Sequence, residues 1–113
     1  MNNTEVVNTT SKYIVKTTGI GSETNQELVD AEKLAEGTDG SKVSLIECYY
    51  LIEGTGTLTI SADAEHPNKL NLTGKGKYGL RPNQLKYGND KLFKLTTDSN
   101  VKSYLLVTEF RRN

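Results

Sequence analysis

Apolar and polar residues alternate along most of this chain from Lys42 onward, and a period of two is the mark of half-buried strands. Leu58 and Ile60 fall on one face, and Thr57, Thr59 and Ser61 fall on the other. Leu70 and Leu72 alternate with Asn71 and Thr73 before Gly74 and Gly76 break the pattern; Tyr78 and Leu80 resume it up to Pro82. Leu92-Phe93-Lys94-Leu95 and the run from Val101 to Phe110 predict two more strands around an Asp98-Ser99-Asn100 turn. Pro67 and Asn68 place a further turn at Glu65-His66-Pro67-Asn68. Val43 to Ile52 and Thr57 to Ala62 flank Gly54-Thr55-Gly56, which predicts a β-hairpin.

The first third of the chain is less regular. Tyr13-Ile14-Val15-Lys16 predicts a short strand ending at Gly19-Ile20-Gly21, and the polar run Met1 to Ser11 predicts a frayed end or an edge strand. Residues 25–36 fit two readings. Thr24 with Glu27 forms a capping box, and Leu28, Ala31, Leu34 and Ala35 have helical spacing with Gly37 as a stop. The same residues also read as a strand leading into Gly37-Thr38-Asp39-Gly40. Many short strands at spacings of roughly 8–12 residues predict an all-β closed sandwich or barrel. Residues 1–11 are the expected terminal segment and residues 12–113 the single domain, with no repeat or linker between them.

Composition narrows the function classes. Hydrophobic residues make up 35% of the 113 positions, enough for one modest core, and Thr, Asn, Gly and Tyr fill the remainder in keeping with strands and turns. Lys plus Arg and Asp plus Glu number 14 each, so no net field draws nucleic acid or an acidic membrane surface. Cys48 is the single cysteine; no internal disulfide and no zinc-type cluster is expected, and a cytoplasmic location is the simplest expectation. Neither an apolar run of membrane length nor a signal-peptide pattern is expected.

The stretch Glu47-Cys48-Tyr49-Tyr50-Leu51-Ile52-Glu53-Gly54-Thr55-Gly56 resembles the first motif of the cupins, a family of small jelly-roll barrels, in which a glutamate precedes a glycine by seven positions. Gly76 and Pro82 resemble the start of the second motif; Gln84 replaces its glycine and Tyr87 stands at its histidine position. The resemblance covers roughly residues 28 to 110 and implies a single-domain cupin-like double-stranded β-helix. It departs from the metal-binding members, which carry His-x-His shortly before the glutamate. Ser41, Lys42, Val43 and Ser44 occupy those places, so the resemblance does not imply a redox-metal oxygenase. The ectoine synthase branch, which lacks the paired histidines, is similar around Glu47, Tyr50, Ile52, Glu53 and Gly54 and around Lys77-Tyr78-Gly79-Leu80. That likeness implies Glu47 and Tyr78 as the ligands if a divalent metal binds, with Lys86 or Tyr87 where a histidine belongs.

The candidate site follows from these residues. A carboxylate at Glu47 facing a barrel interior would have a perturbed pKa and act as a base or hydrogen-bond acceptor; on the outside it would simply pair with a lysine or arginine. Strict alternation groups Glu47 with Leu45, Tyr49 and Leu51. Glu47, Tyr78 and Tyr87 are the candidate acid–base residues, and Tyr49, Arg81 and Tyr104 the candidate ligand contacts. Cys48 faces away from Glu47 and is expected to pack as a small apolar residue; His66 is expected to be a surface turn residue. Gly74-Lys75-Gly76-Lys77 lacks the helix of a phosphate loop. The expected function is binding of a small polar metabolite in the barrel, extending to isomerisation, cyclisation or water elimination by Glu47 and a tyrosine. The alternative is a non-catalytic ligand-binding or protein-interaction barrel that has lost its metal site. A homodimer formed through the N-terminal strand is the expected assembly.

Overall fold

The computed structural model describes residues 1–34, 37–38, 40–62, 69–79 and 91–112. They form nine strands: β1 (Asn2–Asn8), β2 (Lys12–Ile20), β3 (Glu23–Asp30), β4 (Val43–Gly54), β5 (Leu58–Ala62), β6 (Lys69–Leu72), β7 (Lys75–Gly79), β8 (Leu92–Thr97) and β9 (Val101–Arg112). One sheet has the order β1-β2-β9-β4-β7 and the other β3-β8-β5-β6, with antiparallel neighbours throughout. Without the added edge strand β1, this is the strand order of an eight-stranded jelly roll. The expected all-β jelly-roll architecture is what the chain adopts.

Each sheet turns its apolar positions toward the other. Tyr13 and Val15 on β2, Leu106 and Phe110 on β9 and Cys48 and Ile52 on β4 face Leu58, Ile60, Leu70, Leu72, Phe93 and Leu95 of the second sheet, all of them buried. Phe110 and Phe93 join the layers with ring centroids 5.2 Å apart and planes inclined by 53°, a geometry that suits the aromatic quadrupoles.

Three departures from strict alternation shape the molecule. The first concerns Gly54-Thr55-Gly56, which does not close a hairpin. β4 lies in one sheet and β5 in the other, so this segment is a corner between layers. Gly54 has a φ of 101°, open to glycine and strained for other residues. A side chain at Gly56 would run into Asp98 and the backbone of Val101 in the β8–β9 turn. Asp98 ties the two corners together: its Oδ2 accepts from Thr57 N at 3.0 Å, its Oδ1 from Asn100 N at 2.9 Å, and its own N–H donates to Thr57 O at 3.2 Å.

The second departure settles the ambiguous segment as far as residue 34; residues 35 and 36 lie outside the described residues. Residues 23–30 are a strand, and only Ala31–Lys33 turn in a short 3-10 helix. Register shifts against β8 between Glu23 and Gln26 and between Glu27 and Val29 bend β3, leaving both Leu28 and Val29 buried. The expected Thr24–Glu27 capping box goes unused. Asp30 caps the turn instead, its Oδ1 accepting from Glu32 N at 3.0 Å.

The third departure is a bulge at Ile46: Leu45 pairs with Phe110 and Glu47 with Glu109, leaving Ile46 unmatched. Gly79, opposite Glu47 on β7, has a φ of 115°, and a side chain there would strike the Ile46 carbonyl and Glu47. The glycine makes room for the bulge. Gly76, expected to break a strand, lies inside β7 opposite Tyr50.

Candidate functional site

The Ile46 bulge decides which β4 side chains enter the molecule. Before it, Val43 and Leu45 point inward; after it, Cys48, Tyr50 and Ile52 do. Leu45 and Glu47 therefore lie on opposite faces, and the expected grouping of the two is corrected. Glu47, Tyr49 and Leu51 stand on the outer face of the five-stranded sheet, where Tyr49 is 46% and Leu51 43% exposed.

On that outer face Glu47 sits opposite Glu109 on one side and Gly79 on the other. Lys77 lies directly across from Tyr49, with its ammonium 4.4 Å from the ring centroid and 3.9 Å from the Glu47 carboxylate. The Tyr49 hydroxyl holds the Lys77 ammonium above the usual lysine range, and Glu47, Tyr49 and Glu109 add to the shift through their charge. One lysine thus offsets two carboxylates that would otherwise repel across the ladder. Chemically this is a partly exposed ion pair with a cation–π contact, the outward-facing outcome for Glu47.

The inner face of the same ladder carries Tyr50 and Tyr78. Tyr78 is opposite Cys48, and Tyr50 lies across Gly76, whose missing side chain leaves room for the phenol. Both tyrosines pack against the core yet keep partial exposure. Cys48 is fully buried; burial pushes its thiol up to about 12, the Tyr78 backbone hydrogen bond opposes this and Glu47 reinforces it. A thiol so placed is no nucleophile at neutral pH. Beside it on β9, Thr108 is 0% exposed, and its Oγ1 has no hydrogen-bond partner among the described residues.

Glu47 and Tyr78 occupy neighbouring rungs but opposite faces, so they cannot share one metal ion, and the ligand pair implied by the ectoine synthase likeness does not converge. Among the described residues, no group of three or more His, Cys, Asp and Glu side chains could hold a metal. Tyr104 is buried at the other end of the barrel, its ring against Gly19 and its hydroxyl donating to Glu23. Glu23 also pairs with the Met1 amino group at 2.6 Å. Burial, then the Glu23 hydrogen bond and charge, raise the Tyr104 pKa well above the ordinary tyrosine range. Arg81, Tyr87, Lys86 and His66 lie outside the described residues.

The structure therefore brings together Glu47, Tyr49 and Lys77 outside and Tyr50 and Tyr78 inside. Alternation counted from Cys48 would have identified Tyr50 as an inner tyrosine; nothing in the sequence marks Thr108 or Glu23, and the residues around Ile46 do not announce the bulge.

No family model matches the chain, and no curated protein matches it. Among solved structures, it is similar to a cupin domain from Bordetella pertussis Tohama I, with a TM-score of 0.45 and 11% identity over 99% of this chain and 92% of that one. By its strand order, the chain has an all-β jelly-roll fold.

Proposed function

We propose that this protein binds a small polar molecule between its two sheets, at the β4–β7 side, and that Glu47 takes no part in acid–base chemistry there. The observation that carries this reading is the partial exposure of Tyr50 and Tyr78 on an inner face whose neighbours Val15, Cys48, Ile52 and Leu106 are buried. A phenol combines an apolar body with a hydroxyl that both donates and accepts, which suits a ligand carrying hydroxyl or carbonyl groups. The outward ion pair of Glu47 with Lys77 favours binding without catalysis over the acid–base alternative.

The test is protein-observed NMR with a panel of small hydroxy acids, keto acids and polyols. A binder should shift resonances of Tyr50 and Tyr78. Loss of one neutral hydrogen bond in Tyr78→Phe should weaken it by about three- to tenfold. Glu47→Gln should bind unchanged. Perturbations confined to the outer face, or binding abolished by Glu47→Gln, would overturn the reading.

A further inference from the structure

A second opening lies on the far side of the barrel from Tyr78, where β1 and β2 of one sheet approach β3 of the other. Its cavity measures about 350 Å³ and is lined by Glu5, Asn8 and Tyr13 from the first sheet and by Glu27, Asp30 and Lys33 from the β3 side, over an apolar floor that includes Leu28. This volume falls within the range of small-molecule sites. Tyr13 is only 8% exposed, and its hydroxyl has no hydrogen-bond partner among the described residues although it lines the cavity. The ring is buried while the hydroxyl oxygen is left accessible to a partner from the cavity. The carboxylates around it are not equally committed. Glu27 pairs with Lys33 at 3.1 Å. Asp30 accepts from the Glu32 backbone and lies 4.0 Å from Lys91. Glu5 accepts from the Asn8 amide at 2.7 Å and forms no ion pair among the described residues. Asn8 is held in turn by Arg112, which donates to its Oδ1 at 2.8 Å, so the amide that orients Glu5 is itself fixed.

We propose that this opening binds a small organic monoammonium ion. Its ammonium donates to the Glu5 carboxylate and the Tyr13 hydroxyl oxygen, and its carbon chain rests on the apolar floor. Three carboxylates against one lysine in the lining select a cation over an anion. The placement of Glu5 follows from the β1 bulge between Glu5 and Val7, which sets Glu5 opposite Val15 and Asn8 opposite Tyr13, both on the inner face.

The probe is n-butylamine hydrochloride at neutral pH, with n-butanol as its uncharged counterpart, titrated into the full chain and followed through the backbone amide resonances of residues 5, 8 and 13. Butylamine should give a saturable shift at millimolar concentrations and butanol none. Glu5 is exposed, so Glu5→Gln should fold normally while weakening butylamine binding by about tenfold or more, the usual weight of a charge-assisted hydrogen bond. Tyr13→Phe should weaken it by about three- to tenfold. Tyr78→Phe should leave it unchanged, which keeps this site separate from the β4–β7 reading. Equal shifts with butanol, unaltered affinity in a folded Glu5→Gln protein, or no saturation would each overturn the proposal.

Discussion

Replacing Thr108 by Val should make this protein more stable, because the hydroxyl it removes is buried and bonded to nothing described. Thr108 lies in an inner row with Val15 on one side and Cys48 on the other. Desolvating a hydroxyl without a compensating hydrogen bond costs about 1–3 kcal/mol in proteins. Valine keeps the branched shape and the strand preference, so the cavity does not change and no rotamer is strained. The expected gain is therefore about 1–2 kcal/mol. A two-state chain of 113 residues has an unfolding entropy of about 0.24 kcal/mol/K, so each kcal/mol moves the midpoint by about 4 °C, and the variant should melt about 4–8 °C higher. Calorimetry supplies the midpoint, and urea unfolding should show a higher midpoint at unchanged slope, the mark of a stability change without a change in exposed area. A loss of 1 kcal/mol or more would refute the reasoning. It would mean that the folded protein supplies Thr108 with a partner, most simply a buried water, and that the interior beside Cys48 is wet.

Three further outcomes follow from the same geometry. Gly79→Ala places a side chain against the Ile46 carbonyl at a φ of 115° and should cost about 2–3 kcal/mol, whereas Gly21→Ala, at a φ of 75° with open space around it, should cost only about 1 kcal/mol; equal losses by urea unfolding would refute the bulge-accommodating role of Gly79. Glu47→Gln and Lys77→Met should each shift the melting midpoint by no more than about 4 °C, since ion pairs at the surface contribute about 0–1 kcal/mol; a larger drop would place Glu47 in a buried network. Alkaline pH should destabilise the fold in a predictable window. The Cys48 thiol is raised by burial from its ordinary value of 9.0 to about 12, so between those values the unfolded chain has lost a proton that the folded chain keeps. Stability then falls as pH rises through that window, by up to about 1.4 kcal/mol per pH unit for this one group. Tyr13, raised by burial and by Glu5, and Tyr104, raised by burial and by Glu23, act in the same direction above their ordinary value of 10.0. Urea midpoints measured across this range for the wild type and Cys48→Ala should show a shallower decline in the variant; parallel declines would exclude the thiol as a source.

Much of the fold was legible because its inner faces are built from simple alternation. Leu58 with Ile60 and Leu70 with Leu72 face inward as their period of two predicts, and the Asp98-Ser99-Asn100 turn falls where its residues predict. Residues 25–36 were not legible, because Leu28, Ala31 and Leu34 satisfy a helix while the actual strand reaches the same burial through two register shifts. Local spacing cannot register that β8 offers a partner edge from more than sixty positions away. The glycine corner misled for a related reason. Gly54-Thr55-Gly56 has the composition of a hairpin turn, and only the competing edges of β9 and β8 draw its flanking strands into different sheets.

The misplacement of Glu47 has the deepest cause. A motif fixes the separation of two residues along the chain, and Glu47 does stand seven positions before Gly54. It does not fix the face on which either lies, because one inserted residue reverses every side chain that follows. Ile46 is that residue, and it is apolar like Leu45 before it and Leu51 further along the strand, so nothing in its chemistry announces a bulge. The sequence does carry a trace of it at a distance. Gly79 sits across the ladder with a φ of 115°, a glycine demanded by the Ile46 carbonyl rather than by any turn of its own. Read together, Gly79 and Ile46 explain why a strand with a cupin-like glutamate presents Tyr50 and Tyr78 to its interior and spends the carboxylate on Lys77 outside. In a chain of this fold, a glycine within a strand opposite the motif glutamate is therefore the sequence feature to inspect before the glutamate is assigned to the barrel.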